Sequence, residues 1–245
     1  MEPYAEPAPA EMSEISRLSG VFFEPTKTFA DIAERPRWLV PLLLVILASL
    51  AYSVAIGQRL GWERVIDQQM QSQLARMSDQ QRAAMEQTKG LQVKFASVGA
   101  YVMSVIGAPL YCLIAAGVLL LIVDGMMSAG IKFKQAFAVM CYSGLPGILL
   151  IVLMIVAMYM KPNPDDFNIQ NPLPFNLGWF MSPDTPAKFL RSIASSIDIF
   201  SLWAIALIAT GLKMAGGRKL AFGGALAAVL TPWAIVVLIK AVLAR

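Results

Sequence analysis

Chemistry needs side chains that titrate, attack or coordinate, and in this chain they are sparse and scattered. Histidine is absent, which removes the commonest general base, proton shuttle and metal ligand together. The only cysteines are Cys112 and Cys141, both inside apolar runs. On the topology derived below, Cys112 lies mid-membrane and Cys141 near the inner end of the next helix. Their depths then differ by roughly 10 Å at about 1.5 Å per residue. A disulfide needs Cα atoms within about 7 Å, so both are expected to be buried free thiols. Asp165 and Asp166 follow two prolines in a polar connection, where a solvated turn is favoured over a cation site. Gly216, Gly217, Gly223 and Gly224 stand in no phosphate-loop frame and read as turn or packing glycines. No nucleophile–base pair, paired carboxylate or metal-ligand spacing emerges. No cofactor, metal or catalytic residue is therefore expected, and the chain is expected not to be an enzyme.

The charges within the apolar runs are equally restrained. Asp124, Asp198, Lys213 and Lys240 all fall near the ends of their runs. Carboxylates deep in a membrane normally mark ion-coupled transport, so this pattern argues against a proton- or sodium-driven carrier while leaving a passive pore or lipid path open. Asp198 and Lys240 lie on opposite sides of the turn around Gly217, 19 residues before it and 23 after it. Their depths match within roughly 6 Å at about 1.5 Å per residue. An ion pair between them near the outer face is the expectation, with separate snorkelling to the interface as the alternative.

The elements that carry these residues follow from composition. Of the 245 residues, 57% are hydrophobic and 15% charged, against about 25% charged in ordinary soluble domains. The apolar residues gather into runs long enough to cross a bilayer, and the net charge of +4 is too mild and too scattered for a nucleic-acid partner. Five spans are predicted, over about 38–56, 95–123, 136–160, 194–212 and 220–243. The fold class is all-α: a polytopic five-helix membrane bundle, residues 38–245, with short amphipathic N-terminal helices and an extracytoplasmic helical hairpin.

Residues 1–10, rich in Pro, Ala and Glu, are expected to be a disordered tail. Within 11–37, Ile15, Leu18 and Phe22 recur at helical spacing with Glu14 and Arg17 between them. Pro25 then opens a second short helix carrying Phe29 and Ile32. These two helices either lie on the membrane surface or cap the adjoining loops. No short apolar stretch behind a basic start precedes the first span, which is expected to stay uncleaved and direct insertion. Residues 57–94 read as a helical hairpin outside the bilayer, with a stripe of Ile66, Met70, Leu74 and Met77. Ser78 and Gln81 form a capping box at its second helix.

Within the second span Ala96, Ala100, Ser104, Ala108, Cys112 and Ala116 are small and spaced by four. Such a ridge lets another helix approach closely, and Pro109 beside it is a site for a kink. Gly144, Pro146 and Gly147 interrupt the start of the third span. The short connections 124–135 and 213–219 carry five Lys or Arg and one acid, which places them and the N-terminus in the cytoplasm and the C-terminus outside.

Three stretches together resemble the bacterial branch of the Yip membrane domain family, named for Ypt/Rab-interacting proteins. The first is Phe22, Phe23, Glu24, Pro25, Thr26, Lys27, Thr28 and Phe29, before the first span. The second runs from Phe133, Lys134, Gln135, Ala136 and Phe137 to Tyr142, Ser143, Gly144, Leu145 and Pro146. The third is Ser196, Ile197, Asp198, Ile199, Phe200, Ser201, Leu202 and Trp203, with Gly211 beyond. The resemblance covers most of residues 15–243 and implies five transmembrane helices with a cytoplasmic N-terminus, in the bacterial cytoplasmic membrane. Eukaryotic relatives act in vesicle traffic and bind small GTPases, largely through a cytosolic N-terminal region. That region here is short and lacks the eukaryotic motif, so small-GTPase binding is not carried over.

The functional expectation is a non-enzymatic membrane scaffold or accessory subunit. It would contact the lipid bilayer and other membrane proteins, an ABC exporter among them, or itself. The alternative is a transport component, a small permease or the partner of an ATP-driven exporter.

Overall fold

The computed structural model describes residues 11–74, 77–181 and 188–244. The tail expected over 1–10 lies outside them. Among the described residues ten α-helices follow in order: α1 (Glu14–Phe23), α2 (Pro25–Glu34), α3 (Leu39–Arg59), α4 (Trp62–Leu74), α5 (Asp79–Met127), α6 (Phe133–Ser143), α7 (Leu145–Met160), α8 (Lys188–Ser196), α9 (Ile199–Gly216) and α10 (Phe222–Leu243). Five segments are long and apolar enough to cross a membrane: α3, α5, α6 with α7, α9 with the turn after it, and α10. Their outward faces carry large exposed apolar side chains such as Leu47, Leu121 and Ile239. Such faces suit hydrocarbon and would be costly in water.

Local chemistry explains most boundaries. Ser78 and Gln81 exchange both hydrogen bonds of the capping box that opens α5. From there α5 runs unbroken for 49 residues, about 75 Å at 1.5 Å per residue. The expected hairpin arm and second span are thus one continuous helix, because residues 79–94 offer good helix formers and no proline to stop it. Helix α4 packs on this arm: Lys89 bridges Glu63 at 3.1 Å and Asp67 at 3.0 Å, and Trp62 meets Tyr101 edge-on. Of the Met-containing stripe, Ile66 is buried and Met70 half-buried, while the side chain of Leu74 lies outside the described residues.

The third span is divided, as its glycines and proline suggest. α6 ends at Gly144 and α7 restarts with Pro146 in its first turn, where a missing N–H costs nothing. The fourth span begins later than expected. Residues 194–196 close the amphipathic helix α8, and the membrane helix α9 starts only at Ile199.

The connection from α5 to α6 corrects the depths assigned to the cysteines. Ser128 adopts a left-handed conformation, the Ala129 amide donates to the Val123 carbonyl, and the Ile131 amide donates to Asp124 Oδ1. The loop therefore folds back along α5 and sets Ile131 level with Asp124. Cys112 lies 12 residues before Asp124 and Cys141 lies 10 after Ile131, so their depths differ by only about 3 Å. The two buried thiols interact across the α5–α6 contact. They are free, as expected, but adjacent rather than separated.

The main core lies at the end of the bundle that carries α1 and α2. There α2 packs on α9 and α6, burying Phe29 and Ile32 among Val139, Ala209 and Leu212. A Cβ on Gly211 would come within 2.5 Å of Val139 Cγ1 and 3.0 Å of Phe29 Cδ1, so this crossing requires glycine. A smaller cluster closes the far end, where Phe167 folds under its loop onto Ala55, Ile56, Leu60 and Met158.

Candidate functional site

The sequence offers two uses for an amphipathic pair of helices, and the structure makes α1 and α2 a cap docked on the bundle. The buried face of α1 is Arg17, Gly20 and Val21, while Ile15 is 79% exposed. The helix is thus rotated from the orientation that its apolar spacing suggests. Its partner on α2 supplies the reason: Arg17 is completely buried, with Nε and Nη2 each 2.6 Å from Asp31 Oδ2.

A polar cluster grows from this pair. Arg17 Nη1 reaches Glu14 Oε1 at 3.4 Å, and the Tyr142 hydroxyl of α6 donates to Glu14 Oε2 at 2.8 Å. Asp31 also takes Arg35 at 3.4 Å. Arg37 pairs with Glu11 at 2.6 Å and with Glu14 at 3.6 Å. Three carboxylates thus face three guanidinium groups, and the near-cancelling charge of residues 11–37 is a set of physical pairs. Burial works against the Arg17 charge, but the hydrogen bond and charge of Asp31 outweigh it and hold the guanidinium above its usual range. A Gln135 side-chain N–H donates to the Ala33 carbonyl at 2.7 Å, and Phe22 meets Trp203 of α9 edge-on at 5.6 Å. The ion pairs hold α1, α2 and the residues flanking them together, and Tyr142, Gln135 and Trp203 join this cap to the spans. The arrangement is a fastening.

The other residues singled out from sequence have equally mechanical places. Ser104, Cys112 and Ala116 are buried, with Ala100 and Ala108 half-buried. The Ser104 hydroxyl bonds that of Ser53 at 2.7 Å, so this part of the ridge lies against α3. Pro146 starts α7. Phe200 meets Phe175 of the far connection edge-on.

Asp198 and Lys240 correct an expectation. Asp198 is the N-cap of α9: its Oδ1 accepts from the amides of Phe200 and Ser201 at 3.0 Å each, and its Oδ2 accepts from the Ser201 hydroxyl. Lys240 instead donates to the Ser196 hydroxyl at 3.4 Å, and among the described residues no ion pair joins it to Asp198. The backbone at Asp198 also bridges to Asn176. Depth matching was sound, but the orphan amides of a helix start claim the carboxylate first.

At the far end, Arg64 pairs with Asp165 at 2.7 Å. Gln68 donates to the Phe167 carbonyl and accepts from the Ile169 amide. Asp165 is thus held in a loop contact. Among the described residues no three His, Cys, Asp or Glu side chains converge as a metal site would require.

The family model described as the Yip1 domain matches residues 19–243, nearly the whole bundle together with most of the cap. No curated protein and no solved structure matches.

Proposed function

The chain belongs to the Yip1 domain family, and we propose that within it the chain is a non-enzymatic scaffold or accessory subunit of the bacterial cytoplasmic membrane. It acts through helix–helix and loop contacts with other membrane proteins, for which an ABC exporter is one fit, or with a second copy of itself. One observation carries this reading: most of the buried polar side chains among the described residues hold elements together. Arg17 and Asp31 lock α1 to α2, Tyr142 ties Glu14 to α6, Ser53 and Ser104 join α3 to α5, and Asp198 starts α9. What remains for contact is surface, above all the arm made by α4 and the first turns of α5.

The orientation proposed has the cap in the cytoplasm and the arm and C-terminus outside. The two short basic connections support it. Gly130 lies close to the Lys219 ammonium, so Lys132, Lys134, Lys213, Arg218 and Lys219 gather at the capped end, the distribution favoured on the cytoplasmic side.

The experiment pairs two measurements on the purified protein. Mild extraction from native membranes, followed by quantified mass spectrometry, is expected to yield one stoichiometric membrane partner or a defined homo-oligomer. Charge reversal of Lys89, which ties the arm together, should weaken that association. Proteoliposomes of the protein alone should show no solute flux above empty vesicles. Selective flux from the protein alone, without a partner, would instead make it the permease of the alternative reading.

A further inference from the structure

Between α5, α9 and α10 lies a cleft of about 340 Å³. Its floor is buried and apolar, with Leu119, Met140, Ile205 and Val229. Its lips are exposed, Tyr111 at 64% and Val236 at 62%. Because those lips sit on membrane-spanning faces, the cleft opens sideways toward acyl chains. Pro232 also lines it and, lacking an N–H, leaves the Ala228 carbonyl without its usual helical donor.

One face of α10 continues this cleft to the far end of the bundle. Val229, Trp233, Val236, Lys240 and Leu243 recur at helical spacing. The last three also line a second, shallow recess together with Ser192 of α8. Two polar groups stand at this otherwise apolar recess. Ser192 Oγ is buried with no hydrogen-bond partner, and Lys240 has no ion pair among the described residues, its bond being the long one to Ser196. Asp198, the carboxylate beside this corner in sequence, is consumed by the cap of α9. The corner thus presents the Lys240 cation, with the Ser192 hydroxyl enclosed behind it, and Val236 links this recess to the apolar cleft.

We propose that this corner and cleft bind one anionic phospholipid, its phosphodiester on Lys240 and one acyl chain in the cleft. Depth supports the assignment. Lys240 lies three residues from the end of α10, beside the amphipathic helix α8, where headgroups sit. From Lys240 to Val229 the helix descends about 16 Å, close to the roughly 15 Å half-thickness of a hydrocarbon core. Charge complementarity selects the occupant: an exposed cation without an ion pair favours a phosphodiester that has no ammonium of its own to compete.

Native mass spectrometry tests this on the full chain, extracted mildly from bilayers of equal phosphatidylglycerol and phosphatidylcholine. One phosphatidylglycerol should remain per protein, preferred about tenfold over phosphatidylcholine, as one charge-assisted contact implies. Lys240→Glu, an exposed change that leaves the fold intact, should abolish the preference. Ala204→Trp should fill the cleft and lose retained lipid of both kinds, and Lys134→Glu at the opposite end should behave as wild type. Equal retention of the two lipids by the wild type would overturn the proposal, and so would an undiminished preference in Lys240→Glu. Unchanged retention in a folded Ala204→Trp would overturn the placement of the acyl chain.

Discussion

Replacing Asp31 by Asn leaves the buried Arg17 guanidinium with only the longer contact to Glu14 as countercharge. Arg17 is completely buried and the Asp31 side chain only 11% exposed, so solvent cannot take over the lost interaction. Removing one partner of such a buried pair costs about 3–5 kcal/mol, since the Coulomb attraction disappears while the desolvation of Arg17 persists. The remaining contact, Glu14 at 3.4 Å, is longer and is shared with Arg37 and Tyr142. Helix α1 should therefore loosen from α2: a cost of that size raises its open population by roughly 10²–10³-fold, at 1.4 kcal/mol per decade. Hydrogen exchange of α1 and α2 in detergent or nanodiscs reads this directly, with α3 and α7 as unaffected references. A double replacement, Arg17→Met with Asp31→Leu, should restore much of the protection, because an apolar pair of similar volume removes the stranded charge. If Asp31→Asn exchanges like the wild type, the Arg17 cluster does not hold α1 on α2 and the reasoning fails.

Three further changes probe the packing. Gly211→Val should lower the melting temperature and loosen the cap, since its first carbon already meets Val139 and Phe29; a cost of at least about 1–3 kcal/mol is expected. A double-mutant cycle of Asp198→Ala and Lys240→Ala should show coupling near zero, with Asp198→Ala alone costing about 0.5–2 kcal/mol as a lost helix cap; strong coupling would mean that the two charges meet after all. Ala108→Leu should destabilise the bundle by about 1–3 kcal/mol through overpacking, as measured by thermal unfolding, and an unchanged transition would place that part of the ridge against lipid.

Signals that act over one or two turns were legible in the sequence. The five apolar runs, the Ser78–Gln81 capping box, the break at Gly144 and Pro146, and the restart at Pro25 all depend on neighbours a few residues away. What stayed hidden depends on distant partners. Arg17 reads as a solvent-facing charge until Asp31, 14 residues on and in another helix, is placed beside it. The adjacency of Cys112 and Cys141 depends on the fold-back at Ser128, which the spacing of apolar residues does not encode. Asp198 carried a usable signal, an acid immediately before an apolar run, which is the mark of a helix start. The matching depth of Lys240 competes with that signal, because depth alone does not say which partner a carboxylate takes. Pro232 sits within an unbroken apolar run, and its place in a cleft emerges only from the packing of three helices.

A five-span chain oriented as proposed presents its cap on one side of the membrane and its α4–α5 arm on the other. Single cysteines at Gln80 in the arm and at Arg218 in the basic turn, with buried Cys112 and Cys141 left in place, measure this in intact cells with a membrane-impermeant maleimide. The account predicts labelling of Gln80→Cys without permeabilisation and labelling of Arg218→Cys only after it. Labelling of Arg218→Cys in intact cells, or labelling of both positions from the same side, would contradict it.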